Sequence, residues 1–495
     1  MSRQITIDPI TRLEGHGKID IFLNDEGNVD KAFFQVPELR GFEKFLEGRP
    51  AEDTPQITSR ICGVCPSAHH MAATKALDAL WKVKPTLPAE IIRRVFYNLF
   101  MFEDHLLHFY FLGGPDFIVG PDAPKAERNI LGVIDKVGLE TGKKVIEIRK
   151  WCREIMSEMG GKVIHPVLGL PGGVAKAMNK EIQENLQKFS KEAVEFAKFT
   201  MQAFNDIVLA NKTYLDIILS DAYTIETHSM GMVDNNNHVD FYDGDIRVVD
   251  TEAVEIDRFE HKDYASVIAE RTEPWSYMKF PYLRKIGWKG FTGGKESGVF
   301  RVAPLSRLNA ADGMSTPIAQ QEYERLFSTL GGKPVHNTLA IHWARLVEVI
   351  NAAELLVNLA AMDEFISPDV RNMDLQTPEE GVGIVEAPRG TLIHHYKSDE
   401  KGIITESNLI VATVNNSAAM NMSVENAAKG LIKNGEVNDG LLNMVEMAFR
   451  AYDPCLSCAT HSLPGKMPLE VKLMSKDGRL LNRIVRDSNS KQVII

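Results

Sequence analysis

Residues 60–70 read RICGVCPSAHH, and residues 453–461 read DPCLSCATH. Each stretch holds a C-x-x-C pair, Cys62 with Cys65 and Cys455 with Cys458, and the fifth and last cysteine of the chain is Cys152. Two residues between cysteines let both sulfurs of a pair reach one metal. Thiolates are soft ligands that select zinc, iron–sulfur clusters, copper(I), and low-spin nickel or iron. For the pairs alone, a structural four-cysteine zinc site is the default reading. Two features argue against it. The pairs are separated by 389 residues, whereas structural zinc modules close within about a few dozen. A histidine also follows each pair, His69 four residues after Cys65 and His461 three residues after Cys458. A thioredoxin-like redox centre needs only one such pair.

Outward from these stretches, the chain alternates between two periodicities. Ile19, Ile21 and Leu23 alternate with polar residues, residues 24–28 supply a turn, and Ala32, Phe33 and Phe34 resume the apolar run, which predicts strands. After the first pair the apolar spacing becomes helical. Long amphipathic helices are predicted over 88–110, 126–159, 180–209 and 335–359. Glycines such as Gly138 and Gly142 predict a break in the second of them. Four such helices point to a bundle. Residues 225–330 change to short β-like runs with turn signals, a mixed insertion packed on that bundle. No repeat or low-complexity linker marks a boundary, so residues 1–461 read as one domain. Residues 462–495 form a C-terminal extension that alternates like a hairpin, with Leu469, Val471 and Leu473 before a Lys476-Asp477-Gly478 turn and an apolar run over 480–485. The fold class expected is α+β and helix-rich, with small β segments at the N-terminus, middle and C-terminus.

Composition excludes several functions. The chain has 495 residues, 44% hydrophobic and 25% charged, which is ordinary for a globular protein. A net charge of -11 argues against a nucleic-acid partner, which needs a clustered basic surface. No run approaches the ~18 apolar residues of a membrane span, and MSRQITIDPI lacks a signal peptide's apolar stretch. A cytoplasmic protein without direct membrane insertion is expected. In such a setting, paired cysteines favour metal or redox chemistry over disulfides.

The motif set resembles the large subunit of nickel–iron hydrogenases. R-x-C-G-x-C-x-x-x-H and D-P-C-x-x-C-x-x-H are joined by DPITRLEGHG at 8–17, RGFE at 40–43, GGKVIHPVLGLPGG at 160–173 and EAPRG at 386–390, in the family's order. The resemblance implies a bimetallic centre in which Cys62 and Cys455 are terminal nickel ligands and Cys65 and Cys458 bridge nickel to an iron carrying carbon monoxide and cyanide. It further implies Glu14 as first proton carrier and Arg389 as a guanidinium poised over the open metal position. Asp104, in FEDHLLHFY, and Asp453 would hold that arginine, His69 would donate to a bridging sulfur, and Thr413 would donate to a cyanide. Glu43, His461 and the backbone carbonyl near Ile410 match ligands of a magnesium-type site. Cys152, among Trp151, Ile155 and Met156, reads as a core residue.

Dihydrogen is apolar and an extremely weak acid, so splitting it heterolytically needs a Lewis-acid metal and a nearby base, and then a proton path through groups of suitable pKa. Once four cysteines serve the metals, none is left for an iron–sulfur cluster. The resemblance therefore implies a partner small subunit carrying clusters, further electron-transfer subunits, and a maturation endopeptidase that removes 462–495. RICGVCPSAHH and DPCLSCATH look like the cytoplasmic multi-subunit branch, bidirectional or methyl-viologen-reducing-like. The competing readings are a metal-free structural homologue in a respiratory complex, against which all four cysteines speak, and a zinc-stabilised protein of unrelated function.

Overall fold

The computed structural model describes residues 3–460, 469–475, 479–486 and 492–494; His461 and the 476–478 turn lie outside them. The N-terminal alternation becomes an antiparallel sheet of Arg3–Ile7, Lys18–Leu23 and Val29–Gln35, in that order. Its register sets Ile19 opposite Phe34 and Ile21 opposite Ala32, all four fully buried. The third strand packs on the helix Ser417–Leu431, where the Phe34 N–H donates to Asn421 Oδ1 at 2.9 Å. The N-terminal sheet is thus tied to a helix nearly four hundred positions away.

The bundle consists of helices Leu87–Leu107, Leu139–Gly160, Lys180–Phe204 and Ile341–Ala360. Asn179 caps one by accepting the Ile182 N–H at 2.9 Å, and Thr86 caps another through the Ala89 N–H. The helical pattern over 126–159 splits where expected, at Gly138, whose φ of 88° separates Ile130–Val137 from Leu139–Gly160. Two helices end in a π turn, His108–Gly113 and Asn205–Leu209. The last helix begins later than its apolar pattern, at Ile341, after a 3-10 turn at Thr338–Ala340.

Within 225–330, His228–Val233, Asp245–Val249 and Glu255–Phe259 form an antiparallel ladder, with Phe300–Arg301 added in parallel on the outer side of the first strand. Strands Ile268–Thr272 and Lys279–Leu283 pair separately, and helices Pro304–Ala310 and Pro317–Thr329 follow. A further antiparallel sheet, Glu380–Ala387, Gly390–Ser398 and Ile404–Ile410, lies in a stretch to which the sequence reading assigns no elements. Its first strand lies against the helix Pro66–Leu80. The approach is close enough that a Cβ on Gly383 would overlap Ala72 O and one on Gly381 would overlap Ala76 O. No helix among the described residues is long and apolar enough to cross a membrane.

Candidate metal centre

Four segments converge on one buried point. Cys62 sits in the loop before the helix Pro66–Leu80, and Cys65 is the residue at that helix's N-terminal boundary, with Pro66 at its first position. The Val64 and Cys65 N–H groups donate to Cys62 Sγ at 3.2 and 3.1 Å. Cys455 and Cys458 follow the helix Asp439–Arg450, and the chain turns ahead of them at Asp453, whose φ is 59°. All four sulfurs lie within 4.8 Å of one another, and all four residues are buried. Cys62 Sγ is 3.3 Å from Cys455 Sγ, and Cys65 Sγ is 3.8 Å from Cys458 Sγ. These separations far exceed the ~2.05 Å of a disulfide. Burial pushes the Cys455 and Cys458 thiols well above the ordinary thiol range. Full deprotonation of such a cluster requires a cation among the sulfurs. Four soft donors with no solvent access therefore fit a thiolate-bound metal centre. Cys152 is elsewhere, fully buried, with its thiol donating to Leu99 O at 3.3 Å.

Glu14 reaches this cluster through backbone pairing across the whole chain. It forms a parallel bridge with Cys455, and the Leu456 N–H donates to Glu14 O at 2.9 Å. That places Glu14 Oε2 where it accepts from the Cys455 thiol at 3.0 Å and from the Ser457 N–H at 3.1 Å. Thr413 Oγ1 accepts the Cys455 N–H at 3.1 Å, which leaves the hydroxyl's own proton free to donate.

Arg389 occupies the tip of a hairpin. Ala387 pairs with Gly390, so Pro388 and Arg389 are the two turn residues, and a Cβ on Gly390 would collide with Val302. The guanidinium is 98% buried; Nε donates to Asp453 O at 2.7 Å and Nη1 to Asp104 Oδ2 at 3.2 Å. Nη2 lies 2.9 Å from Asp453 Oδ2. Burial raises the Asp104 carboxyl to about 7 against the opposing pull of Arg389, and burial also raises Asp453. Asp104 Oδ1 has no hydrogen-bond partner among the described residues, nor has His69 Nε2.

His69 is fully buried; its Nδ1 is 3.1 Å from His394 Nε2, and His394 Nδ1 is 2.6 Å from the Tyr396 hydroxyl. His394 and Tyr396 face the same buried side of one strand, two residues apart. A second chain of polar groups is one that sequence motifs do not reveal. Arg345 lies 3.6 Å from Asp453 and donates to His105 Nδ1 at 3.0 Å, to Pro388 O and to Ala451 O. His105 Nε2 is 2.9 Å from Glu348, and Glu348 and Glu386 share Arg307. The Glu348 carboxyl, buried but paired with Arg307, lies low at about 2, so His105 donates from Nε2 and accepts from Arg345. Glu386 and His105 stand inside the motifs EAPRG and FEDHLLHFY, but Arg307, Arg345 and Glu348 carry no local signal.

Of the second set of expected ligands, Glu43 is buried and accepts the Leu409 N–H at 2.9 Å, beside Ile410. Burial lifts its carboxyl to about 7, with the Lys279 ammonium 3.9 Å away opposing. His461 lies outside the described residues.

Comparison with known proteins agrees with the cysteine geometry. The nickel-dependent hydrogenase family matches residues 40–133 and 296–461, and the HoxL-like family matches residues 4–39. The iron-sulfur subunit of the F420-non-reducing hydrogenase of Archaeoglobus profundus is 48% identical over 97% of this chain and 99% of its own. The beta subunit of the NAD-reducing hydrogenase HoxS of Cupriavidus necator is 38% identical over 98% of this chain and 100% of its own. Among solved structures, an NAD+-reducing [NiFe]-hydrogenase in the H2-reduced state superimposes with a TM-score of 0.87 at 36% identity, covering 93% of this chain and 99% of that one. With a buried four-sulfur cluster framed by the family's motifs, and relatives of this identity along nearly its full length, the chain belongs to the nickel-dependent hydrogenase large-subunit family.

Proposed function

We propose that this chain performs reversible cleavage of molecular hydrogen to protons and electrons at a nickel–iron centre held by Cys62, Cys65, Cys455 and Cys458. The observation that carries the reading is the convergence of the four sulfurs within 4.8 Å in a buried cluster. Cys62 and Cys455 would serve as terminal nickel ligands, and Cys65 and Cys458 as ligands shared with an iron carrying carbon monoxide and cyanide. When bound, that centre supplies the Lewis acidity and redox capacity that splitting hydrogen requires.

The chain's own residues move the proton and shape the cavity. Cys455 Sγ hands a proton to Glu14 Oε2, its partner at 3.0 Å, and Glu14, only partly buried, carries it outward. Arg389 is held rigid by Asp104 and Asp453 on two sides, so its positive charge is preorganised rather than recruited during the reaction. His69, whose Nε2 has no partner among the described residues, would donate to a bridging sulfur, and Thr413 would donate its hydroxyl proton to a cyanide. Glu43, the carbonyl near Ile410 and His461 would hold a magnesium-type ion, an assignment supported by the burial of the Glu43 carboxylate beside Leu409.

Electrons leave through a partner small subunit carrying iron–sulfur clusters, because Cys152 is the only cysteine not used and it is buried against Leu99. The named relatives reduce NAD or act as F420-non-reducing enzymes, which supports further electron-transfer subunits and a cytoplasmic location. Metal analysis and infrared spectroscopy of the purified complex test the reading. Nickel with iron and bands from iron-bound carbon monoxide and cyanide are expected; Cys62→Ser should lose them and Cys152→Ser should keep them. Zinc alone, or nickel retained in Cys62→Ser and lost in Cys152→Ser, would overturn the assignment.

A further inference from the structure

A cavity of about 160 Å³ opens between the N-terminal segment, the 120s loop and the helix Asp439–Arg450. Three cations line it: Arg12, Lys125 and Arg128. Arg128 is 93% buried, yet its side chain makes no hydrogen bond or ion pair among the described residues, and its Nε is a buried donor without a partner. The buried Nε is thus a donor whose desolvation nothing among the described residues offsets, while the rest of the guanidinium stays open to a counter-ion. Lys125, exposed at the rim, has no ion-pair partner among the described residues either.

Of the three cations, Arg12 alone is paired with a nearby acid among the described residues, Asp116. Glu446 is committed to Arg450 and to the Thr11 hydroxyl, and Asp116 to Arg12 and Arg450. Asp439, exposed at the first position of its helix, is the one lining carboxylate without a salt bridge among the described residues. That helix is 12 residues long and presents its N-terminal end to the cavity through Asp439 and Leu442, adding a positive end of backbone dipole. A guanidinium, an ammonium and a helix start around one cavity are the groups that an oxyanion calls for.

We infer that this cavity binds a small oxyanion, phosphate or a carboxylate of similar size, with Arg128 as its principal ligand and Lys125 at its rim. The site is separate from the cysteine cluster, yet Arg12 stands two residues before Glu14. Arg12 also bonds Leu112 O at 2.9 Å and Asn443 Oδ1 at 3.0 Å, so an anion there braces the segment that carries Glu14. The inference does not depend on which metals the cysteines hold.

Equilibrium dialysis of the intact hydrogenase complex against labelled inorganic phosphate, at constant ionic strength set with chloride, tests it. The wild-type complex should bind one phosphate per copy of this chain that Arg128→Gln does not bind, with metal content unchanged. If Arg128→Gln does not assemble, two surface variants keep the question open to refutation: Lys125→Gln should weaken binding at least threefold, and Asp439→Asn should tighten it. Displacement by acetate as readily as by phosphate assigns the site to a carboxylate ligand; resistance to acetate assigns it to phosphate. Equal phosphate binding by wild type and Arg128→Gln, no binding above chloride controls, or indifference to both surface variants would overturn the inference.

Discussion

At the scale of single residues, what decides function is which atom each side chain has left to offer. Glu14 accepts two hydrogen bonds, from Cys455 and Ser457, through one oxygen. Glu14→Gln preserves shape and polarity but cannot relay a proton, so nickel, iron and infrared bands should be intact while turnover and exchange of hydrogen isotopes with solvent fall strongly. Near-normal exchange in that variant would remove Glu14 from the path. Arg389 uses its fork on two carboxylates and a carbonyl at once. A lysine keeps the charge and loses that geometry, so Arg389→Lys should lower turnover about a hundredfold, or ~2.7 kcal/mol of barrier, with little change in metal content. A rate equal to wild type would make Arg389 a structural ion pair.

At the scale of elements, the hairpin 380–398 is what sets Arg389 near the cysteines, and it does so by lying flush on the helix that begins just after Cys65. Gly383 permits that approach, since any Cβ would strike the helix backbone at Ala72. Gly383→Ala should therefore lift the strand from the helix and cost about 1–3 kcal/mol, typical of forced overpacking. The expected signs are a lower thermal midpoint and reduced nickel retention, and an unchanged midpoint with full nickel would show that the strand has slack. This is also where sequence reading reaches its limit. The cysteines, Glu14 and Arg389 are legible because they sit in short motifs. The helices are legible because their apolar period is long and regular. The strands at 380–410 are not, because they are buried along most of their length and show little polar alternation. His394 and Tyr396 come to matter only through strand register, and Arg345 through a crossing of two segments more than a hundred residues apart.

At the scale of the whole molecule, the question is where the mature chain ends. Residues 462–495 follow directly on Cys458 and its neighbours, so anything attached there is tethered beside the metal centre. In this segment Leu469–Met474 pairs antiparallel with Leu480–Arg486, and Gln492–Ile494 adds a third strand on the other side. The three strands form a sheet of their own that takes no strand from the rest of the described chain. Removing it would break no ladder elsewhere among the described residues. A cut after His461 would free a carboxylate and let the final segment close over the metals with His461 available as a ligand. We therefore expect a maturation endopeptidase to remove 462–495 once nickel is inserted. Intact-mass measurement of the active, nickel-loaded enzyme should find a chain ending at His461, and blocking the cut should leave a chain that holds nickel but turns over little hydrogen. A fully active enzyme whose mass extends to Ile495 would show instead that the tail stays and folds as a permanent part of the molecule.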